Sequence, residues 1–429
     1  MTTTVPEFRP PPGSEAKLEP AGWSEADSAG FQPLDADPVR PTSLVRWAFY
    51  LSIFSIPFTH LYLPGTGERV GVLRLVQVLL LSAMLARPRV CLRLVPAALL
   101  WFLSYAALRI VWGLWLSPTM SASWWPSSRE FLELLIPWLW LMFNVLQFPE
   151  TPRGGLWALA LGCALCALCH VAGIGVNVVD DGLGDRSSVF GLNANEIGIT
   201  YATAAVTLLG LWMLRPQTLI GRLAIFPLIG LLGLAMAKTG SRTAVLTLSI
   251  GVLVLLLFGQ ALGSKARRLA SLALIGAVLA VVLWQIPTVL ERFEEINPHN
   301  LGYENPRARM APVLWEMFLR SPIYGSGPDH YEFELTRRAM PYLIRQQKTI
   351  ASHNLLLLLL VETGGIGLAL FALGLGSALV AAWRARRRPC GPLPLALLLP
   401  LAIGGATVCN PSHHLVFWVA MAYALAGVA

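Results

Sequence analysis

The sequence predicts an all-α, polytopic membrane protein with about twelve transmembrane helices and one long polar loop. Three observations predict it. The 429 residues are 55% hydrophobic and only 13% charged, against about 25% charged in a typical soluble chain. Apolar runs near the roughly 20 residues that a helix needs to cross a bilayer recur from residue 44 onward. Basic residues gather in the short connections between those runs, and on one side only.

Taken in order, residues 1–42 are rich in Pro, Gly, Ser and acidic residues and lack the apolar stretch of a signal peptide. They are expected to form a disordered cytoplasmic tail. Nine runs occupy the region 43–287: residues 44–63, 71–86, 94–116, 131–148, 156–176, 197–214, 219–237, 244–262 and 269–287. A polar loop, 288–352, separates them from three more, 355–383, 392–408 and 415–429. The second, seventh, eleventh and twelfth runs are short or interrupted by proline. With the N-terminus in the cytoplasm, that side receives Arg87, Arg89, Arg93, Arg153, Arg215, Arg222, Lys265, Arg267, Arg268, Arg384 and Arg386. Every short connection there is basic, as the positive-inside rule requires. The loop 288–352 then faces the periplasm, and both ends of the chain are cytoplasmic.

Within the loop, residues 307–319 (RARMAPVLWEMFL) read as an amphipathic helix with Pro306 in its first turn. Residues 321–328 (SPIYGSGP) form a turn-rich stop, and residues 332–342 suit a second helix. The formal charge of +8 does not point to nucleic acid, because the basic residues are spent on orientation. Cys163, Cys166, Cys169 and His170 contain the haem-attachment pattern C-x-x-C-H, but Ala and Leu fill the gaps within an apolar run, so three small residues on one packing face is the reading preferred.

The outer side breaks the charge rule. It carries Arg186, Arg242, Arg307 and Arg309, with His353 where the loop re-enters the apolar phase. Arg337, Arg338, Arg345 and Lys348 are read first as solvated loop charges. Outside the cytoplasm there is no ATP, so a transferase there needs an activated donor. A polyprenyl diphosphate-linked sugar is one. Arginine forks match phosphate oxygens, and a neutral histidine can take a proton from an acceptor hydroxyl. No carboxylate cluster with Mg²⁺-ligand spacing appears on that side, so the site is expected to use no metal and no cofactor. Glu362, an acid inside the tenth run, demands an inward-facing partner.

These residues also fall into motifs. Arg242 with Leu246 resembles the R-x3-L element of bacterial O-antigen ligases. His353-Asn354, nine residues and then Gly364-Gly365-Ile366-Gly367 resemble their H-[NSQ]-x9-G-x-x-G element. Arg307 (or Arg309), ahead of Pro322 and Gly325-Ser326-Gly327, is similar to the loop arginine before their P-x-x-G-x-G turn. Arg186 followed by Gly191-Leu192-Asn193-Ala194-Asn195 resembles the preceding outer loop. Leu368-Ala369 stand where the family often has Thr-Thr.

The resemblance implies transfer of an O-antigen glycan from undecaprenyl diphosphate to the lipid A–core oligosaccharide, on the periplasmic face of a bacterial inner membrane. His353 would be the catalytic base, and Arg242, Arg307, Arg309 and Arg186 would hold the diphosphate. Asn195, His330, Asn354 and Tyr303 are secondary substrate-binding candidates; Asn354 is equally suited to capping a helix. O-antigen polymerases and protein O-oligosaccharyltransferases share the superfamily and form the alternative. A glycolipid flippase is a remote one, because no inverted repeat with polar midplane helices is evident.

Overall fold

The computed structural model describes residues 41–62, 71–116, 124–180, 185–214, 219–259, 306–328, 330–339, 354–387, 391–407 and 414–427. The tail to residue 40, the ninth apolar run, Tyr303 and His353 lie outside the described residues.

Helices occupy the expected apolar stretches. They are α1 (Ser43–Phe54), α2 (Val72–Leu85), the short α3 (Pro88–Cys91), α4 (Ala97–Leu116), α5 (Trp124–Leu135), α6 (Met142–Leu146) and α7 (Thr151–Val171). After a β-hairpin come α8 (Ala194–Leu214), α9 (Leu219–Thr239) and α10 (Arg242–Phe258). Two loop helices, α11 (Pro306–Arg320) and α12 (His330–Ala339), precede α13 (Leu355–Ala385), α14 (Pro392–Thr407) and α15 (Leu415–Ala426). Among the described residues four helical segments are long and apolar enough to cross a membrane, namely Ala97–Trp115, Thr151–Val171, Ala194–Met213 and Leu355–Ala385. Shorter apolar helices accompany them, including Ser43–Phe54, Val72–Leu85, Ala224–Thr239, Arg242–Phe258, Pro392–Gly405 and Leu415–Ala426.

Several boundaries have local causes. The first run was expected to continue to residue 63, but α1 stops at Ser55 and gives way to a 3₁₀ turn over Ile56–Phe58, where Pro57 cannot donate to the helical ladder. In the fourth run α5 and α6 are joined by a π-helical segment, Ile136–Leu141, which widens the helix where Pro137 lacks an N–H. Pro227 and Pro400 lie inside α9 and α14.

One continuous core runs through the bundle, from Phe49 and Ile53 of α1 to Phe417 and Trp418 of α15. The cysteine triplet belongs to it. Cys163 and Cys166 are buried, and Cys166 Sγ lies 3.7 Å from Pro57 O. Both nitrogens of His170 have protein partners, Ser187 Oγ at 2.8 Å and Tyr201 OH at 3.4 Å. The stretch is therefore a packing face.

Each end of the bundle is pinned. At the basic end Arg46 pairs with Glu150 at 2.6 Å, Asn144 exchanges hydrogen bonds with the backbone of Leu94, and the Arg386 guanidinium stacks on Trp383 at 3.6 Å. At the opposite end lies an element that the sequence did not suggest. It is an antiparallel hairpin of β1 (Val176–Asp180) and β2 (Asp185–Val189), with Val179 opposite Arg186.

Candidate active site at the loop end

The loop helices are built on an apolar stripe. Met310, Leu314 and Met317 of α11 follow helical spacing and pack with Tyr331 and Leu335 of α12 against Leu358 and Val361 of α13. This matches the amphipathic pattern expected over 307–319, and the helix starts at Pro306. Arg307 and Arg309 sit in its first turn, and His330 opens α12. Arg337 and Arg338 form local ion pairs instead of facing a site. Both grip Glu334, at 2.7 and 2.6 Å, and hydrogen bonds from Arg337, backed by Arg338, hold the Glu334 carboxyl below its usual range.

Two glycine motifs turn out to be the two halves of one backbone joint. Gly364 has φ +65°, a value that breaks α13 and that side-chain-bearing residues rarely adopt. The break frees backbone groups on both sides of it, and the turn after α11 satisfies them. Ser326 N–H donates to Val361 O at 2.7 Å and Gly327 N–H to Glu362 O at 3.0 Å. In return Gly365 N–H donates to Pro322 O at 2.8 Å. A Cβ on Gly364 would strike Ile323 O, and one on Gly325 would strike the backbone of Glu362. The indole N–H of Trp112 on α4 holds the same turn through Tyr324 O at 2.7 Å.

Beneath the joint, Glu362 meets the partner that its burial demands. Arg109 Nη1 donates to its carboxylate at 2.7 Å, both side chains are buried, and Arg109 Nη2 reaches Ser127 Oγ at 2.5 Å. Arg109 escaped the sequence reading, although an arginine inside an apolar run was itself a signal.

The second cluster forms around the α9–α10 turn. Gly240 is left-handed (φ +58°), and Ser241 caps α10 by accepting from Ala244 N–H at 3.3 Å. Gly198 of α8 lies so close that a Cβ there would meet Ser241 and Thr239 at 2.9 Å. Half-buried Arg242 is thus the first residue of a helix whose N-terminal N–H groups favour an anion. The hairpin is stitched to the same turn, with Ser187 Oγ donating to Lys238 O at 2.9 Å. In the outer-loop motif Gly191 is left-handed (φ +77°), and Asn193 accepts from Asn195 N–H at 2.8 Å at the start of α8. Asn195 itself is half-buried on the first turn. Asn354 performs the same capping for α13, accepting from Leu357 N–H at 3.1 Å. The two clusters are joined through α14, which packs on both α10 and α13.

Two cavities open between these clusters. The smaller, about 180 Å³, is lined by Arg109, Ser127, Glu130, Tyr331, Glu332, Leu355 and Glu362. Leu355 follows His353 by two positions. The larger, about 530 Å³, is lined by His60, Arg74, Glu130, Glu133, Glu196 and His414 among others. Glu130 and Leu134 belong to both walls. Sequence reasoning missed His60, Arg74, Glu130 and Glu133; the local signals were the polar residues His60, Arg74, Gln77 and Glu133 inside apolar runs. No metal-ligating group of three or more His, Cys, Asp or Glu occurs among the described residues.

The fold and site define a class, a helical membrane protein whose polar and charged groups converge at one end of its bundle. A family model described as O-antigen ligase matches residues 226–372, from within α9 to Phe371-Ala372 in α13, which supports membership of the O-antigen ligase superfamily. Members of that family are in general lipid-linked glycan transferases. No curated protein matches the chain.

Proposed function

We propose that this protein is an O-antigen ligase, moving a glycan from undecaprenyl diphosphate to the lipid A–core oligosaccharide on the periplasmic face of the inner membrane. The observation that carries the reading is the backbone joint between the Pro322–Gly327 turn and the Gly364 break. It ties the turn that ends α11 to the helix that follows His353 in the sequence, so the two glycine motifs form one unit within the matched region. Arg242, with Arg307 or Arg309 and with Arg186, holds the diphosphate and stabilises it as it leaves. His353 takes the proton of the acceptor hydroxyl, and attack opposite the leaving group inverts the anomeric centre. Arginines carry the charge, so no divalent ion is required.

The test incubates the purified protein with undecaprenyl diphosphate-glycan and core lipid, with and without EDTA. Inverted product on core lipid in both is expected. Elongated donor chains in place of that product mean polymerase, and activity lost in EDTA and restored by Mg²⁺ refutes the metal-free reading.

A further inference from the structure

We infer that the larger cavity is a sugar-binding subsite for the acceptor glycan, separate from the arginines that hold the diphosphate. The inference rests on the transfer reading above and names where the second substrate sits.

Three observations converge on it. The first is an orphaned donor. Trp138 forms part of the cavity wall, is wholly buried, and its indole N–H finds no acceptor among the described residues. Buried donors are nearly always satisfied, and an exception calls for a partner. The second is local backbone. Trp138 lies in the π-helical segment Ile136–Leu141, and such widened turns recur at functional sites. The third is the charge and chemistry of the lining. Among the described lining residues, Glu130, Glu133 and Glu196 stand with one guanidinium, that of Arg74. Glu133 also pairs with exposed Arg129 at 3.1 Å, and acids still outnumber bases.

That lining selects its ligand. A diphosphate would meet like charge, whereas ionised carboxylates only accept hydrogen bonds and so match a ligand rich in hydroxyl donors. His60 and His414 can give or take, the hydroxyls of Thr59 and Thr200, which donate to Ile56 O and Glu196 O, can accept, and the Trp138 N–H supplies a donor for a hydroxyl or ring oxygen. A volume of about 530 Å³ falls in the usual range of small-ligand sites, roughly 300–1,000 Å³. The position fits the acceptor, since Glu130 is shared with the smaller cavity that reaches Leu355, two positions after His353 in the sequence.

The experiment measures binding, without turnover, to the full chain in detergent by calorimetry. Three probes are used: core oligosaccharide freed of lipid A, the O-antigen repeat oligosaccharide freed of its carrier, and undecaprenyl diphosphate. The variants are Trp138→Phe, which keeps the bulk and removes the donor, and Glu196→Gln, which keeps the shape and removes the charge. Wild type should bind a glycan, and each variant should bind it roughly tenfold more weakly, with undecaprenyl diphosphate binding unchanged as the check on folding. Core glycan as the bound probe supports both this subsite and the ligase reading. The repeat alone as the bound probe keeps the subsite and replaces ligase by polymerase. The inference is overturned if neither glycan binds, if the variants bind it as wild type does, or if undecaprenyl diphosphate binding falls in parallel.

Discussion

The Arg109–Glu362 pair offers a quantitative handle on the joint. The two side chains are 8% and 2% exposed and meet at 2.7 Å, with Tyr105 OH at 3.4 Å from the same guanidinium nitrogen. Removing one partner strands a buried charge, which costs about 3–5 kcal/mol. Glu362→Leu takes the counter-charge from Arg109, and Arg109→Met takes it from Glu362. The double variant exposes neither charge and replaces the pair by apolar groups of similar size, a change that is often neutral or stabilising. The two single losses should therefore far exceed the loss in the double, with a coupling energy of at least about 2 kcal/mol, above the usual scatter of additivity. Glu362 also offers its backbone carbonyl to Gly327 N–H, so the singles should lose glycan transfer together with stability. Equilibrium unfolding of the detergent-solubilised protein, with transfer measured in parallel, closes the cycle. Additive losses would refute the claim that the ion pair locks α4 to the kink of α13.

Other expectations follow from the same geometry. Gly364→Ala forces a Cβ into a left-handed position against Ile323 O. It should cost at least about 1–2 kcal/mol from the backbone alone and lower the unfolding midpoint, and an unchanged midpoint would contradict the joint. Arg242→Ala should reduce transfer at limiting donor by roughly 30- to 1,000-fold, with Arg242→Lys recovering only part because a point charge cannot replace the planar fork; normal transfer in the alanine variant would remove Arg242 from the site. His353→Gln keeps a hydrogen-bonding group that cannot take a proton at neutral pH, so transfer should fall roughly 100- to 10,000-fold with donor binding kept. Near-normal rates in that variant would reduce His353 to positioning.

The parts that were legible in the sequence are those whose signal is local. Among the described residues most apolar runs located their helices within a few residues, the end of the first and the start of the fourth excepted, and the stripe at Met310, Leu314 and Met317 located a loop helix. Capping residues were equally visible, and Asn354 does cap α13. Glu362 was legible as a problem, because a buried carboxylate requires a partner, but the partner lies 253 positions away and nothing local points to it. The hairpin escaped notice because its five-residue strands carry Asn, Asp, Arg and Ser and are held by tertiary bonds, such as those linking His170, Ser187 and Lys238. The larger cavity was illegible for a related reason. Its polar groups come one or two at a time from separate stretches, His60, Arg74, Glu130 with Glu133, Glu196 and His414, and no spacing rule collects them.

This contrast gives the motifs a division of labour. Gly325 and Gly364 are fixed by backbone docking alone, since each lies against a backbone carbonyl, that of Glu362 or of Ile323, where a side chain would collide. Their spacing is therefore a property of the fold. What the fold achieves by it is to hold the turn after α11 against the kink of α13, while Met310, Leu314 and Met317 of α11 pack with Leu358 and Val361. Substitutions should then fall into two kinds. Glycine and ion-pair variants should lower stability and disturb both substrates together, because they move the frame. Variants of Arg242, Arg307, Arg309 and His353 should leave the unfolding midpoint in place and act on rate. A glycine variant with full stability and lost transfer, or an arginine variant that unfolds early yet turns over normally, would break that division and move chemistry into residues assigned here to structure.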